Sequence, residues 1–285
     1  METYLLHSAG CMAVFLLFYK LVLEQESMHV FKRYFLLGAL VASFIVPALV
    51  FVEYVASSVH PVTTIMRPDA VTTSQTAHTT PVADFKWSRL FWAIYFVGLL
   101  VFGFRFVKHL FQILGRIKRN PKLKSQFSIK VLLTEKLPPH TFFNYIFLNK
   151  NTFESNRIPE PVLIHEEIHA QQVHSLDVLF IELLHVFFWF NPLVYWFKKS
   201  IKLNHEFLAD SAVLKNGHEK SEYQNILLAF SSTATEPQLA NAITYSSIKK
   251  RFKVMKKRTS KNSRVFRSLL VFPLVAILLF GFSER

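Results

Sequence analysis

Val178–Phe197 reads VLFIELLHVFFWFNPLVYWF, an unbroken apolar stretch except for Glu182, His185, Asn191 and Pro192. A run of about 20 apolar residues can cross a bilayer as a helix, yet two ionisable groups, an amide and a proline are an expensive load at its centre. The flanks decide between crossing and not crossing. Upstream lies His165-Glu166-Glu167-Ile168-His169, an H-E-x-x-H. On a helix its two imidazoles share a face and can reach one ion, and Glu166 is placed to polarise a water held there. Downstream, Asn204-His205-Glu206-Phe207-Leu208-Ala209-Asp210 sets two acids four residues apart. Glu206 supplies a third ligand and leaves a fourth position open, and Asp210, one turn on, can accept the outer ring N–H of a ligand histidine. All three ligands must lie within about 2 Å of the ion. If 178–197 crossed the membrane, Glu206 would be stranded on the far side from His165 and His169. The stretch therefore predicts a helix buried in a domain or dipping into the membrane face, broken at Asn191-Pro192.

The remaining sequence has the character of a membrane protein. Hydrophobic residues make up 51% of the 285 and charged residues 18%, with a mean hydropathy of +0.27; an ordinary soluble domain is about 25% charged. Four stretches are long enough to span: Tyr4–Leu23, Tyr34–Ala56, Phe85–Leu110 and Val265–Phe282. The first lacks a basic n-region and a small-residue cleavage site, and so reads as a retained helix. The net charge of +14 lies beside these runs, where it orients helices, so direct nucleic-acid binding is not expected. Lys20, Lys32 and Arg33 separate the first two spans, and a run from Lys249 to Arg267 holds ten bases and no acid, whereas 57–84 carries only Arg67 as a base. The positive-inside rule puts both termini and the 57–84 loop outside. The organisation follows: 1–111 holds three spans, 112–263 forms a cytoplasmic domain, and 264–285 holds the fourth span. The basic runs can also attract anionic lipid. The lone Cys11 excludes an intrachain disulfide and a thiolate metal cluster.

Strands are expected at Phe127–Leu133 and Tyr145–Leu148, with helix from Pro159 onward, which makes the domain α+β. Ser175 occupies the position where a metzincin would carry its third histidine, and His174 is out of register, so that class is excluded. His174 and His185 read as packing or surface histidines, and His205, about 100° around the helix from Glu206, as structural. Glu167 reads as a surface acid. Glu182 is open between an outer-shell group and a solvated carboxylate. Tyr223 and His205 are the alternatives for a donor to a developing oxyanion.

H-E-x-x-H followed by E-x-x-x-D resembles the gluzincin peptidases. The segments HEEIHA (165–170), WFNPLVYW (189–196) and EFLAD (206–210) closely resemble BlaR/MecR-type membrane metallopeptidases, as does the order of three helices, a zinc domain and a further helix. The resemblance implies a polytopic α-helical membrane protein of four transmembrane helices with a cytoplasmic α+β gluzincin-like zinc peptidase domain. It implies Zn²⁺ on His165, His169 and Glu206, with Glu166 catalytic and Asp210 behind a ligand. It also implies a substrate cleft near Phe143 and Asn144, where an edge strand can pair with an extended peptide. The expected setting is a bacterial inner membrane. The expected partners are the bilayer and a protein substrate, with a winged-helix repressor leading by resemblance. Only Ser283, Glu284 and Arg285 follow Phe282, so the extracellular beta-lactam sensor of the best-known members is not expected, and a separate sensor subunit is the alternative. Two other functions stay open: an HtpX-like quality-control protease, and a non-catalytic signalling scaffold with a structural metal.

Overall fold

The computed structural model describes residues 2–49, 87–135, 137–232 and 238–282. The expected 57–84 loop, the end of the second expected span and the three terminal residues lie outside them. The chain opens with α1 (Glu2–Phe18), prolonged by a wider helical turn at Tyr19–Leu23, then α2 (His29–Ile45) and α3 (Trp87–Arg119). It closes with α10 (Lys261–Leu269) and α11 (Val271–Phe282). Among the described residues, four helices are long and apolar enough to cross a membrane: Thr3–Leu23, His29–Ala48, Arg89–Arg119 and Lys261–Gly281. α3 runs without a break through position 111, where the sequence suggested a domain boundary. Pro273 has no N–H to donate toward residue 269, and the chain turns at Leu270 between α10 and α11.

After α3 comes a four-stranded sheet in the order β1-β2-β4-β3: β1 (Lys122–Lys124), β2 (Ile129–Leu133), β3 (His140–Phe142) and β4 (Tyr145–Asn149). β2 and β4, the two strands expected from sequence, pair in parallel with Ile129 opposite Tyr145 and Leu133 opposite Asn149. Their alternating faces bury Val131, Leu133 and Phe147 in one cluster and Leu132, Ile146 and Leu148 in another. β1 and β3 were not anticipated, being too short to carry a period-two pattern. β3 returns antiparallel on β4 and, among the described residues, leaves its other edge unpaired.

The helical part holds α4 (Lys150–Glu154), α5 (Glu160–Gln171), α6 (His174–Phe187), α7 (Pro192–Lys215), α8 (Lys220–Ser232) and α9 (Gln238–Lys256). The stretch 178–197 does not form one helix. α6 stops at Phe187, and α7 starts at Pro192, where the Asn191 side chain accepts from Leu193 N at 2.9 Å. Proline suits the first position of a helix because its missing N–H would be unsatisfied there anyway. The break folds α7 back against α6. Ile181, Val194, Phe197 and Ile201 bury one face in a cluster with Phe15, Leu36 and Leu40 of α1 and α2.

On the other side α6 packs on α3, where Val186 lies near Gly103, and Trp189, just past the end of α6, lies over Gly98. A Cβ at this position would collide with the Trp189 ring, whose indole stacks on Phe102 at 5.9 Å. Gly98→Ala therefore forces α3 away from the Trp189 ring and the link between α6 and α7. The expected cost is about 1–3 kcal/mol, read as an earlier thermal transition of the detergent-solubilised protein, whereas Gly115→Ala, with open space around it, is expected to leave the transition in place.

Candidate metal centre

α5 carries His165 and His169 on one face, and α7 crosses it carrying Glu206. His165 Nε2 lies 3.1 Å from His169 Nε2 and 3.4 Å from Glu206 Oε2, and His169 Nε2 lies 3.5 Å from Glu206 Oε1. These three form a group whose ligand atoms all fall within 4.8 Å of one another. A tetrahedral ion with bonds of about 2.0–2.1 Å has ligand–ligand edges of about 3.4 Å, so the donor set fits zinc in type and spacing. Glu166 is 8% exposed, and its Oε2 accepts from the Thr141 hydroxyl at 2.6 Å. Thr141 sits on edge strand β3, so the sheet reaches the site through one side chain.

The outer nitrogens of both histidines are anchored. Tyr223 of α8 donates to Asp210 Oδ1 at 2.8 Å and lies 2.8 Å from His165 Nδ1. With its only proton on Asp210, the phenol must accept from His165 Nδ1–H, which leaves the Nε2 lone pair turned into the triad. Asp210 was expected to touch the ligand directly; it acts instead mainly through Tyr223, its own carboxylate standing 3.5 Å from Nδ1. Arg251 of α9 donates to Asp210 through Nε at 2.8 Å and Nη2 at 2.5 Å, and its Nη1 pairs with Glu206 at 2.8 Å. On the other ligand, His169 Nδ1 meets His174 Nδ1 at 2.8 Å, and His174 stacks on His205 at 4.1 Å. His205 Nε2 binds Asp177 Oδ2 at 2.8 Å, and Arg33 of α2 clamps that carboxylate at 2.6 and 3.1 Å.

The charges follow from this geometry. Burial raises the Glu166 carboxyl above its ordinary value, against the pull of His165 and Thr141. Burial would also raise Glu206, but Arg251 and the two imidazoles outweigh it and hold the carboxyl well below the usual range. Burial pushes His169 down to about 3, keeping the ring neutral as a cation ligand must be. His165 moves upward because Glu206 overcomes the opposing effect of burial.

Glu166, His169 and Glu206 line a cleft of about 1030 Å³ walled by α3, β3, α6 and α7. Phe143 and Asn144 form the tight β3–β4 turn, Phe143 at φ 50°, with Phe143 N bonded to Ser175 Oγ at 2.8 Å. The wall of the cleft is formed by the residues just before them, Pro139–Phe142. Glu182 lies on the cleft wall, partly exposed, and is ion-paired with Lys198 and Lys202 at 2.7 and 2.9 Å. His174 is no mere packing group, since it bonds a triad member. Tyr223 and His205, the two oxyanion alternatives, have their hydroxyl proton and Nε2 committed to Asp210 and Asp177. Arg33 and Arg251, which the sequence offers as topogenic or lipid-attracting charge, instead hold Asp177 and Asp210 inside the domain. Nothing in their basic runs singles them out.

Fold and site together define a protein of long apolar helices carrying a His/His/Glu metal-type centre beside a buried acid. Residues 142–255 match the family described as BlaR1 peptidase M56. Regulatory protein BlaR1 of Bacillus licheniformis is 29% identical over 171 residues, which is 56% of this chain and 26% of that protein. The chain thus spans about a quarter of the length of the curated relative it matches. By these two matches the chain is similar to BlaR/MecR-type proteins, the peptidase model covering residues 142–255 and the curated relative covering 56% of the chain.

Proposed function

We propose that this chain is a membrane-embedded zinc endopeptidase acting in signal transduction. It cleaves a cytoplasmic protein, with a transcriptional repressor as the leading substrate class. Its setting is a bacterial inner membrane, with both termini outside and 112–263 in the cytoplasm. The convergence of His165, His169 and Glu206 beside Glu166, with His169, Glu206 and Glu166 lining one cleft, carries the reading. Zinc held by those three would supply Lewis acidity toward a water and a peptide carbonyl. Glu166 takes the proton from the attacking water and returns it to the leaving amine. Thr141 fixes the carboxylate that does this, and the free edge of β3 offers main-chain groups to an extended substrate. Arg251 balances Glu206 and Asp210, and Tyr223 and His174 hold the ligand tautomers.

The test compares new protein N-termini in cells expressing the wild type or Glu166→Ala, together with zinc per purified chain. One wild-type-dependent cut in a DNA-binding protein supports the signalling reading. Many cuts across membrane proteins point to quality control, and zinc with no cut anywhere points to a scaffold.

Two further outcomes are expected. Thr141→Val removes a hydrogen bond to a charged group, worth about 1.5–3 kcal/mol, so turnover falls about ten- to a hundredfold with zinc content unchanged. Asp177→Asn loosens the His205–His174 support of His169, and competition with a chelator is expected to read a zinc affinity about tenfold weaker, at the lower end for outer-shell partners.

A further inference from the structure

Behind Arg251, on α2, α7, α9 and the start of α10, lies a second cavity of about 700 Å³. Its wall carries Lys215, His218, Lys256, Arg258 and Arg264, with Lys257, which pairs with Glu26 outside the lining, and among the described residues Asp210 is the one acid in it. Asp210 is already held by Arg251 and Tyr223. Among the described residues, no ion pair engages Lys215, Lys256, Arg258 or Arg264. The cavity thus gathers positive charge without a counter-charge of its own. An independent observation comes from His29, which also lines it. This ring is 8% exposed, stacks obliquely on Phe207 at 5.7 Å, and has no side-chain hydrogen bond among the described residues, its Nδ1 being wholly buried. Nδ1 is sealed from the cavity, so a ligand there meets this ring through Nε2, which has no hydrogen-bond partner among the described residues.

The location identifies the ligand. His29 begins one candidate span, His29–Ala48, and Arg264 lies in the first turn of another, Lys261–Gly281. The cavity therefore lies where two apolar helices start, on the same side as the metal triad. Basic pockets between membrane helices at that level suit the phosphate of a lipid head group, whose acyl chains continue along the spans. A soluble phosphate has the same head chemistry but makes no use of the neighbouring apolar helix surface.

We propose that this cavity binds the phosphate head group of an anionic phospholipid, held by Arg258, Arg264, Lys215 and Lys256, with His29 as a neutral hydrogen-bond partner. The bound anion would rest beside Arg251 and Asp210, directly behind the group that pairs with Glu206.

The full chain in detergent is titrated with phosphatidylglycerol or phosphatidylcholine, and adducts are counted by native mass spectrometry. Phosphatidylglycerol is expected to bind at least tenfold more tightly, and the double variant Arg258→Gln/Arg264→Gln to lose that preference. Lys122→Gln/Lys124→Gln on β1 removes the same charge far from the cavity and is expected to retain it. His29→Phe keeps the packing on Phe207 and is expected to weaken the adduct severalfold. Equal binding of both lipids overturns the proposal, as does an equal loss in the two double variants, which would mean bulk surface charge. Inorganic phosphate is the remaining arm. If it displaces the lipid at equal concentration, the site serves a soluble phosphate and the lipid assignment fails; no displacement supports the lipid.

Discussion

Glu166→Ala lowers peptide hydrolysis about 10²- to 10⁴-fold, the range for loss of a positioned general base, while zinc per chain stays at the wild-type value. The separation follows from geometry. The three convergent ligand atoms belong to His165, His169 and Glu206, so removing Glu166 leaves the donor set intact. What disappears is a buried carboxylate held by Thr141 at 2.6 Å, with a pKa raised by burial toward the range in which a group can both take and return a proton. Glu166→Gln retains the shape and the contact with Thr141, and is expected to lose as much activity as alanine. Kinetics on a cleaved partner protein, run beside metal analysis of the same samples, check both halves. Activity above a tenth of wild type in the zinc-loaded alanine variant would remove Glu166 from the mechanism. Loss of zinc in that variant would mean that Glu166 is a ligand.

Arg251→Ala is expected to destabilise the protein by about 3–5 kcal/mol, the cost of leaving the buried Asp210 carboxylate without this partner. Asp210 is 1% exposed and receives two of the three Arg251 contacts, and Glu206 receives the third. A bound cation gives Glu206 another counter-charge but does nothing for Asp210. The loss is therefore expected to be smaller with zinc present than in chelator. Thermal unfolding of the solubilised chain in the two conditions measures it. Arg251→Lys keeps a charge but not the planar fork that meets Asp210 with two donors, and is expected to fall between. A variant within about 0.5 kcal/mol of wild type, the range of ordinary surface substitutions, would show that the Arg251 contacts carry no net stability.

The legible parts of this protein are those with a short period or a long one. Four apolar helices stand out because a bilayer demands unbroken runs, and His165, Glu166, His169, Glu206 and Asp210 stand out because a helix repeats every three to four residues. The break at Asn191-Pro192 was also readable, since proline cannot continue a helix from the preceding turn. Strands as short as β1 and β3 leave no such trace. Much of the surroundings of the site is equally silent. Thr141, Asp177 and Arg251 are spread over three elements, each an ordinary residue in its own segment, and Tyr223 stands out only as an oxyanion-donor candidate, not as the support of His165. Arg33 and Arg251 were counted as charges beside a membrane until the fold turned them inward.

The amino-acid sequence by itself determined the membrane character, the metal-type donor set and the demand that Val178–Phe197 turn back, because each depends on residue types at fixed local spacing. Only the tertiary structure decided what holds those donors: Thr141 on Glu166, Tyr223 and Arg251 around Asp210, and the path from His169 through His174, His205 and Asp177 to Arg33 on α2. Those contacts join residues far apart in the chain, so no local period encodes them; they exist because the packing of α5 and α7 against α2, α8, α9 and the sheet buries polar groups that must then find partners.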